Sequence, residues 1–397
     1  MSTPSRVSRR RFVRTMAAAG GLLAAGGAAQ ACVAPAPASP APPPGAPAAP
    51  ASQAGAAGSA EWDRLLAAAQ QEGKVNVIVP PGDVYRGIAA EFEKKYGIQV
   101  EVLAGNGGAD LVPKIEAERQ AGQQNWDLVT HSPGSMLVGF RRLGVMEPLA
   151  PALILPEVLD DTNWLHSFAA GWADADQAYV YSYVAFVDVM AKVNRNVVPE
   201  TELSRLDQLW DPQWRGRIAM FDPRIPSAGL QAAAVLMLTL GEDRLRQLFE
   251  IQQPILTTDR RQLGEWIVRG GQYPICLGVA PDSFSAFRSQ GVDTSHVKPL
   301  DPDNVNGIVF TAGTGAIGLF SQAPHPNAAK AYANWLLTRE AQAIYAPATS
   351  HNSRRLDVPV ADRDSAPDPQ KDYLNIDIEV NYNARDKASA IAKEVLK

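Results

Sequence analysis

The chain has 397 residues, 46% of them hydrophobic, a formal net charge of −5, and 2 Cys. Two cysteines exclude a disulfide framework. Residues 1–60 hold five Arg and no acidic residue, so taking those five charges from −5 leaves −10 on the remainder. An acidic body without a basic stripe excludes nucleic acid as a partner. Its length suggests two lobes rather than one core.

Residues 8–14, Ser-Arg-Arg-Arg-Phe-Val-Arg, lead into the mildly apolar, Gly-rich run 16–31. A membrane span needs about 20 strongly apolar residues, so this run does not stay as one. Residues 1–32 read as an export signal, and the arginine pair Arg9-Arg10 resembles a twin-arginine (Tat) signal; an ordinary Sec signal is the alternative. Cys32 has two readings. It takes a lipid after cleavage behind Ala31, or it is a bystander near the cut offered by Ala29-Gln30-Ala31. Residues 33–60 are almost wholly Ala, Pro, Gly and Ser, with eight Pro. Such a stretch buries no core and reads as a disordered tether. A tether implies an anchor, which favours lipidation of Cys32. The rest of the chain is then extracytoplasmic, at the outer face of the cytoplasmic membrane or in the periplasm, and most metabolic enzymes are excluded.

From residue 61 helix and strand alternate. Trp62, Leu65, Leu66 and Ala69 share a helical face that Gly73 ends. Residues 75–79 (Val-Asn-Val-Ile-Val) form a buried strand. Val84, Ile88, Phe92 and Tyr96 recur every fourth position, and residues 98–102 alternate as a second strand. Leu111, Val112 and Ile115 mark a third helix and residues 126–130 a third strand. Met136, Leu137, Phe140 and Leu143 make the next helical face. This βαβαβ order predicts a mainly parallel sheet with helices on both faces, an α/β fold. Ligands in such sheets lie outside the carboxyl ends of the strands. The loops of interest are 80–83, 105–108 and 130–135, none with the spacing of a nucleotide-binding motif.

Residues 179–187 are β-rich and are expected to feed the second lobe. There, residues 217–221 read as a strand, 222–227 as its loop and 228–240 as an apolar helix. Residues 273–279 are another buried strand, ending at Pro281, Asp282 and Ser283. Residues 305–311 read as a return strand, and 326–337 as a helix with Pro326 at its start.

Several stretches together resemble the extracytoplasmic solute-binding proteins of ABC importers, iron(III)-type branch. They are 91–100 (Glu-Phe-Glu-Lys-Lys-Tyr-Gly-Ile-Gln-Val), 209–218 (Leu-Trp-Asp-Pro-Gln-Trp-Arg-Gly-Arg-Ile), 270–275 (Gly-Gly-Gln-Tyr-Pro-Ile), 324–330 (Pro-His-Pro-Asn-Ala-Ala-Lys), 338–342 and 353–359. The resemblance implies the two-lobed type II periplasmic-binding-protein fold: two α/β lobes joined by hinge strands, closing on a ligand. Lobe 1 is expected at 61–172 and 311–360, lobe 2 at 173–310 and 361–397. A permease and an ATPase are the implied partners of a monomer that needs no cofactor.

In that branch an adjacent Tyr pair after the Gly-x-Tyr-Pro segment coordinates ferric ion, a hard cation that favours phenolate. Here the position falls at 281–284, Pro-Asp-Ser-Phe, and the first-loop His of the family is replaced by Asp83. A carrier of ferric iron or another metal–anion cargo is therefore the alternative reading, with Asp83 and Asp282 as its candidate carboxylate donors. The family's anion-binding loop falls on Ser227, Ala228 and Gly229 before an apolar helix, where free N–H groups and the helix dipole suit an oxyanion. Ser227 equally fits a helix cap. Arg224 offers a charge-assisted bond. Pro81, Asp83, Tyr85, His131, Ser132, Tyr181 and Tyr183 are expected along the cleft wall, with Asp282 and Ser283 opposite. The favoured function is capture of a small anionic organic solute for a permease. Readings of another class are an anchored sensor, or a cleft enzyme using Cys276, which sits in an apolar run that suits a buried thiol.

Overall fold

The computed structural model describes residues 51–279 and 281–396. The export signal, Cys32 and tether residues 33–50 lie outside the described residues. Helix α1 (Ala51–Glu72) takes up the last ten residues expected in the tether. That stretch contains Ala, Gly, Ser, and Gln but no Pro, and its alanines favour a helix.

The first lobe follows: β1 (Lys74–Val79), α2 (Asp83–Tyr96), β2 (Gln99–Ala104), α3 (Val112–Gln120), β3 (Leu128–His131), β4 (Met146–Glu147), the short α4 (Pro156–Leu159) and β5 (Tyr181–Ser182). Strand β6 (Phe186–Val189) leads out to the second lobe. There β7 (Ala191–Asn194), β8 (Ile218–Phe221), α5 (Ala228–Leu240), α6 (Glu242–Gln247), β9 (Ile255–Thr257), α7 (Arg260–Arg269), β10 (Ile275–Leu277), α8 (Ser285–Ser289) and β11 (Val297–Pro299) follow. Strand β12 (Ile308–Thr311) returns the chain to β13 (Ala316–Phe320), α9 (Pro326–Leu336) and α10 (Arg339–Thr349). Helix α11 (Glu379–Val395) ends the described chain.

The first sheet has the order β2-β1-β3-β13-β4, with β5 also on β13. Strand β1 is parallel to β2 and β3, while β13 is antiparallel to β3, β4 and β5. Alternation along β1 sends Val75, Val77 and Val79 to one face, against Phe92 and Trp335, and Ile78 to the other, against Ile115 and Phe140. The second sheet has the order β11-β7-β10-β8-β9. Its core gathers Trp214, Ile218, Leu236 and Ile275. Strands β6 and β12 pair with each other, antiparallel, and form the crossing between the lobes.

The β-rich run 179–187 is therefore split. Tyr181 and Ser182 pair with Ile317 and Ala316 in the first sheet, and the crossing begins at Phe186. The boundary expected at 173 moves accordingly. A run of uniform β propensity does not say which sheet each half joins. The carboxyl-terminal segment is divided too: α11 buries Ala388, Ile391 and Ala392 in the second core, while Tyr382 packs in the first.

Candidate functional site in the interlobe crevice

The strand ends named from the sequence share, within each sheet, the carboxyl edge of its parallel strands. On the first lobe, Pro81 is exposed in the turn after β1 and Asp83 is exposed at the first position of α2. Tyr85, in the first turn of α2, is half-buried, and its hydroxyl lies 3.1 Å from Thr314 Oγ1 in the loop before β13. Ser132 follows β3, and its hydroxyl lies 2.9 Å from Ser135 Oγ at the start of the next helical segment.

His131 is placed otherwise than expected. It is 6% exposed at the end of β3. Its Nδ1 accepts the Ser132 N–H at 2.8 Å, and its Nε2 lies 3.2 Å from the Gly105 carbonyl. The Gly107 N–H also donates to Nε2 at 3.1 Å, so that nitrogen faces one donor and one carbonyl. Burial lowers the pKa of the ring, opposed by the bond to the Gly105 carbonyl. His131 thus joins two crevice loops rather than offering a ligand group. Tyr181 is fully buried, packed edge-on to Trp164 and Trp172 and stacked on Phe168. Tyr183 is buried as well, edge-on to Tyr345. Neither lines the crevice, because the strand turns both rings into the first core.

On the second lobe the geometry centres on the start of α5. Ser227 Oγ accepts the Leu230 N–H at 3.1 Å and donates to the Asp222 carbonyl at 2.7 Å, so it is the N-cap. Gly229 is held against β8: a Cβ there would lie 1.8 Å from the Phe221 carbonyl oxygen. A Cβ on Gly278, past β10, would lie 2.6 Å from the Gly229 nitrogen. Gly278 also has φ +69°, a left-handed conformation that glycine adopts without strain. Two strand ends and a helix start therefore meet through backbone alone.

Arg224 does not reach for a ligand. Its Nε and Nη2 bond the Asp222 carboxylate at 3.0 and 2.8 Å, and its Nη1 donates to the Leu396 carbonyl at 3.1 Å. The side-chain bonds from Arg224 are the largest cause holding the Asp222 carboxyl below its usual range. The pair sits two residues apart across Pro223, a proximity the sequence displayed without indicating it. Ser283 is half-buried in the turn after β10, and its carbonyl would lie 3.1 Å from a Cβ on Gly264 of α7. The Asp282 side chain lies outside what the structure describes. Cys276 is fully buried in β10, and burial pushes its thiol pKa up. Among the described residues, no group of three His, Cys, Asp or Glu is arranged to hold a metal ion.

Lys192 of β7 was not singled out in the sequence. Its ammonium donates to Asp188 Oδ1 at 2.6 Å, to the Val189 carbonyl at 3.2 Å and to the Val279 carbonyl at 2.8 Å. It ties the crossing strand to the end of β10. Phe186, stacked on His351 at 5.8 Å between centroids, was missed too. Both belong to short strands with no long periodic pattern.

Residues 87–363 match the sequence model for Bacterial extracellular solute-binding protein (SBP_bac_8). A comparison with curated proteins finds no match. Among solved structures, the fold is similar to the Trichodesmium IdiA/FutA protein in complex with iron and citrate, at 17% identity and TM-score 0.61, over 81% of this chain and 99% of that one. It is similar to the Bordetella ferric binding protein, at 17% identity and TM-score 0.60, over 81% and 98%. It is also similar to the Mannheimia haemolytica ferric iron-binding protein A in an open conformation, at 14% identity and TM-score 0.61, over 82% and 98%. At these identities the likeness is one of fold, the two-lobed periplasmic-binding-protein architecture expected from the sequence. With the family match spanning most of the chain, it belongs to the bacterial extracellular solute-binding proteins, the extracytoplasmic components that capture a small ligand for an ABC importer permease.

Proposed function

We propose that this chain captures a small anionic organic solute between its lobes and hands it to the permease without chemical turnover. The start of α5 supports this reading most. Ser227 takes the Leu230 N–H, which leaves the N–H groups of Ala228 and Gly229 ahead of the first in-helix bonds. Small residues let an oxyanion approach them, and the helix dipole favours negative charge. Pro81, Asp83, Tyr85 and Ser132 on the first lobe, and Asp282 and Ser283 on the second, complete the proposed site. The export signal is read as twin-arginine and Cys32 as lipidated, holding a monomer beside its permease and ATPase. Labelled fatty acid is expected on the wild-type chain and not on Cys32→Ser; label that persists in the variant contradicts the anchor.

A second reading, ferric cargo, is supported by the iron-binding proteins that share the fold. Against it stands Pro281-Asp282-Ser283-Phe284 where that branch carries its tyrosines. A metal site in the crevice would rely on Asp83 and Asp282. Native mass spectrometry with metal analysis of the exported, folded protein separates the two. An organic anion without iron is the expected result, and one ferric ion per chain would overturn it.

A further inference from the structure

Helix α11 is fixed to both lobes, and unequally. Its body is buried in the second core through Ala384, Ala388, Ile391 and Ala392. It is tied there by Glu394 to Arg246 at 3.0 Å, Lys387 to Glu242 at 2.7 Å and Ser389 Oγ to the Arg224 carbonyl at 3.2 Å. Its first turn sits on the first lobe. The Glu379 N–H donates to the Ala173 carbonyl at 2.7 Å, and the Glu379 carboxylate accepts from Arg141 Nη1 at 2.7 Å and from the Ala175 N–H at 2.9 Å. Arg141 is also paired with Asp176. Just before the helix, buried Asp377 accepts the Ala312 N–H at 2.8 Å, Arg385 Nη2 at 2.6 Å and the Thr311 hydroxyl. Thr311 ends β12, so Asp377 is fastened to the crossing itself.

We propose that the first turn of α11 is a releasable latch on the first lobe, and that it biases the lobes toward an open arrangement from outside the crevice. Among the described side chains, no hydrogen bond or ion pair joins the loops 80–83, 105–108 and 131–135 of the first lobe to residues 222–227, 278, 279, 283 and 284 of the second. A hinge rotation carries the body of α11 with the second lobe. A helix is stiff, so one end must give, and the first-lobe end buries less of the helix: Tyr382 packs in the first core, against Ala384, Ala388, Ile391 and Ala392 in the second. Beyond Tyr382 it holds by the Glu379 bonds and the Arg141 ion pair, beside a groove of about 220 Å³ lined by Leu137, Arg141, Glu379 and Tyr382. Asp377 stays at the crossing as the pivot.

The test needs no ligand, so its failure is distinct from failure of the proposed solute. Spin labels go on Lys94→Cys of α2 and Arg269→Cys of α7, both 77% exposed, in a Cys32→Ser full-length chain; Cys276 is buried. Pulsed dipolar spectroscopy reads the distance between lobes. One distance is expected for the wild-type latch, and a second, shorter one at least threefold more populated in Glu379→Gln and Arg141→Ala. Raising salt to about 1 M, where the screening length falls to roughly 3 Å, is expected to do the same with the latch residues intact. Distances that superimpose in Glu379→Gln and at high salt overturn the proposal, and the salt arm decides should a variant not fold.

Discussion

Gly278 lies against Gly229 so closely that a Cβ on the former would come within 2.6 Å of the latter's nitrogen. This contact brings the end of β10 onto the first turn of α5. Gly229→Ala places a methyl against the Phe221 carbonyl and is expected to destabilise the chain by about 1–3 kcal/mol, as overpacking does. Thermal unfolding checks this; an unchanged melting temperature would mean that α5 is not held by that contact.

Ser227→Ala removes the cap on Leu230 N–H and the bond to the Asp222 carbonyl. A loss of about 1 kcal/mol is expected in denaturant unfolding. Ser227→Gly should lose less of the cap, and equal losses would argue against a capping role.

Arg224→Ala leaves the buried Asp222 carboxylate without its partner. The Asp222 pKa is depressed in the folded chain, so the pair's contribution is full above the unfolded carboxylate value, about 3.9, and is lost as pH falls through the lower folded value. Wild type is therefore expected to be more stable than Arg224→Ala at pH 7, with the gap closing on acidification. A gap independent of pH would sink this assignment.

His131 should titrate below the ordinary imidazole value, because burial disfavours its charged form. Its neutral burial adds stability that is full above about pH 6.5 and declines as pH falls toward the lower folded value. NMR of the imidazole followed against pH is expected to give a midpoint below about 6.5; a midpoint at or above that value would contradict the burial of the ring.

Cys276 is expected to resist thiol reagents until the chain unfolds, and Cys276→Ser to keep ligand binding. Rapid labelling of the folded protein would reopen the cleft-enzyme reading.

The first lobe was legible because residues 75–79 are a short, mostly apolar run between Gly73 and Pro80, and Ile88, Phe92 and Tyr96 keep a helical interval. The start of α5 was legible because Ser227 precedes an unbroken apolar run. Helix α11 was not, since half of its buried residues are alanines, Ala384, Ala388 and Ala392, and alanines also populate exposed helix faces. Tyr181 and Arg224 misled for one shared reason. Sequence places a residue near a strand end, but whether it turns inward, or finds a carboxylate two positions away, is decided by packing.

The central claim is that an anion is held by the first N–H groups of α5. Amide NMR of the chain titrated with its co-purified solute tests it most directly. The Ala228 and Gly229 amides are expected to shift downfield and become protected from exchange at saturation. A saturating solute that leaves both amides unmoved while perturbing other crevice residues would contradict the account.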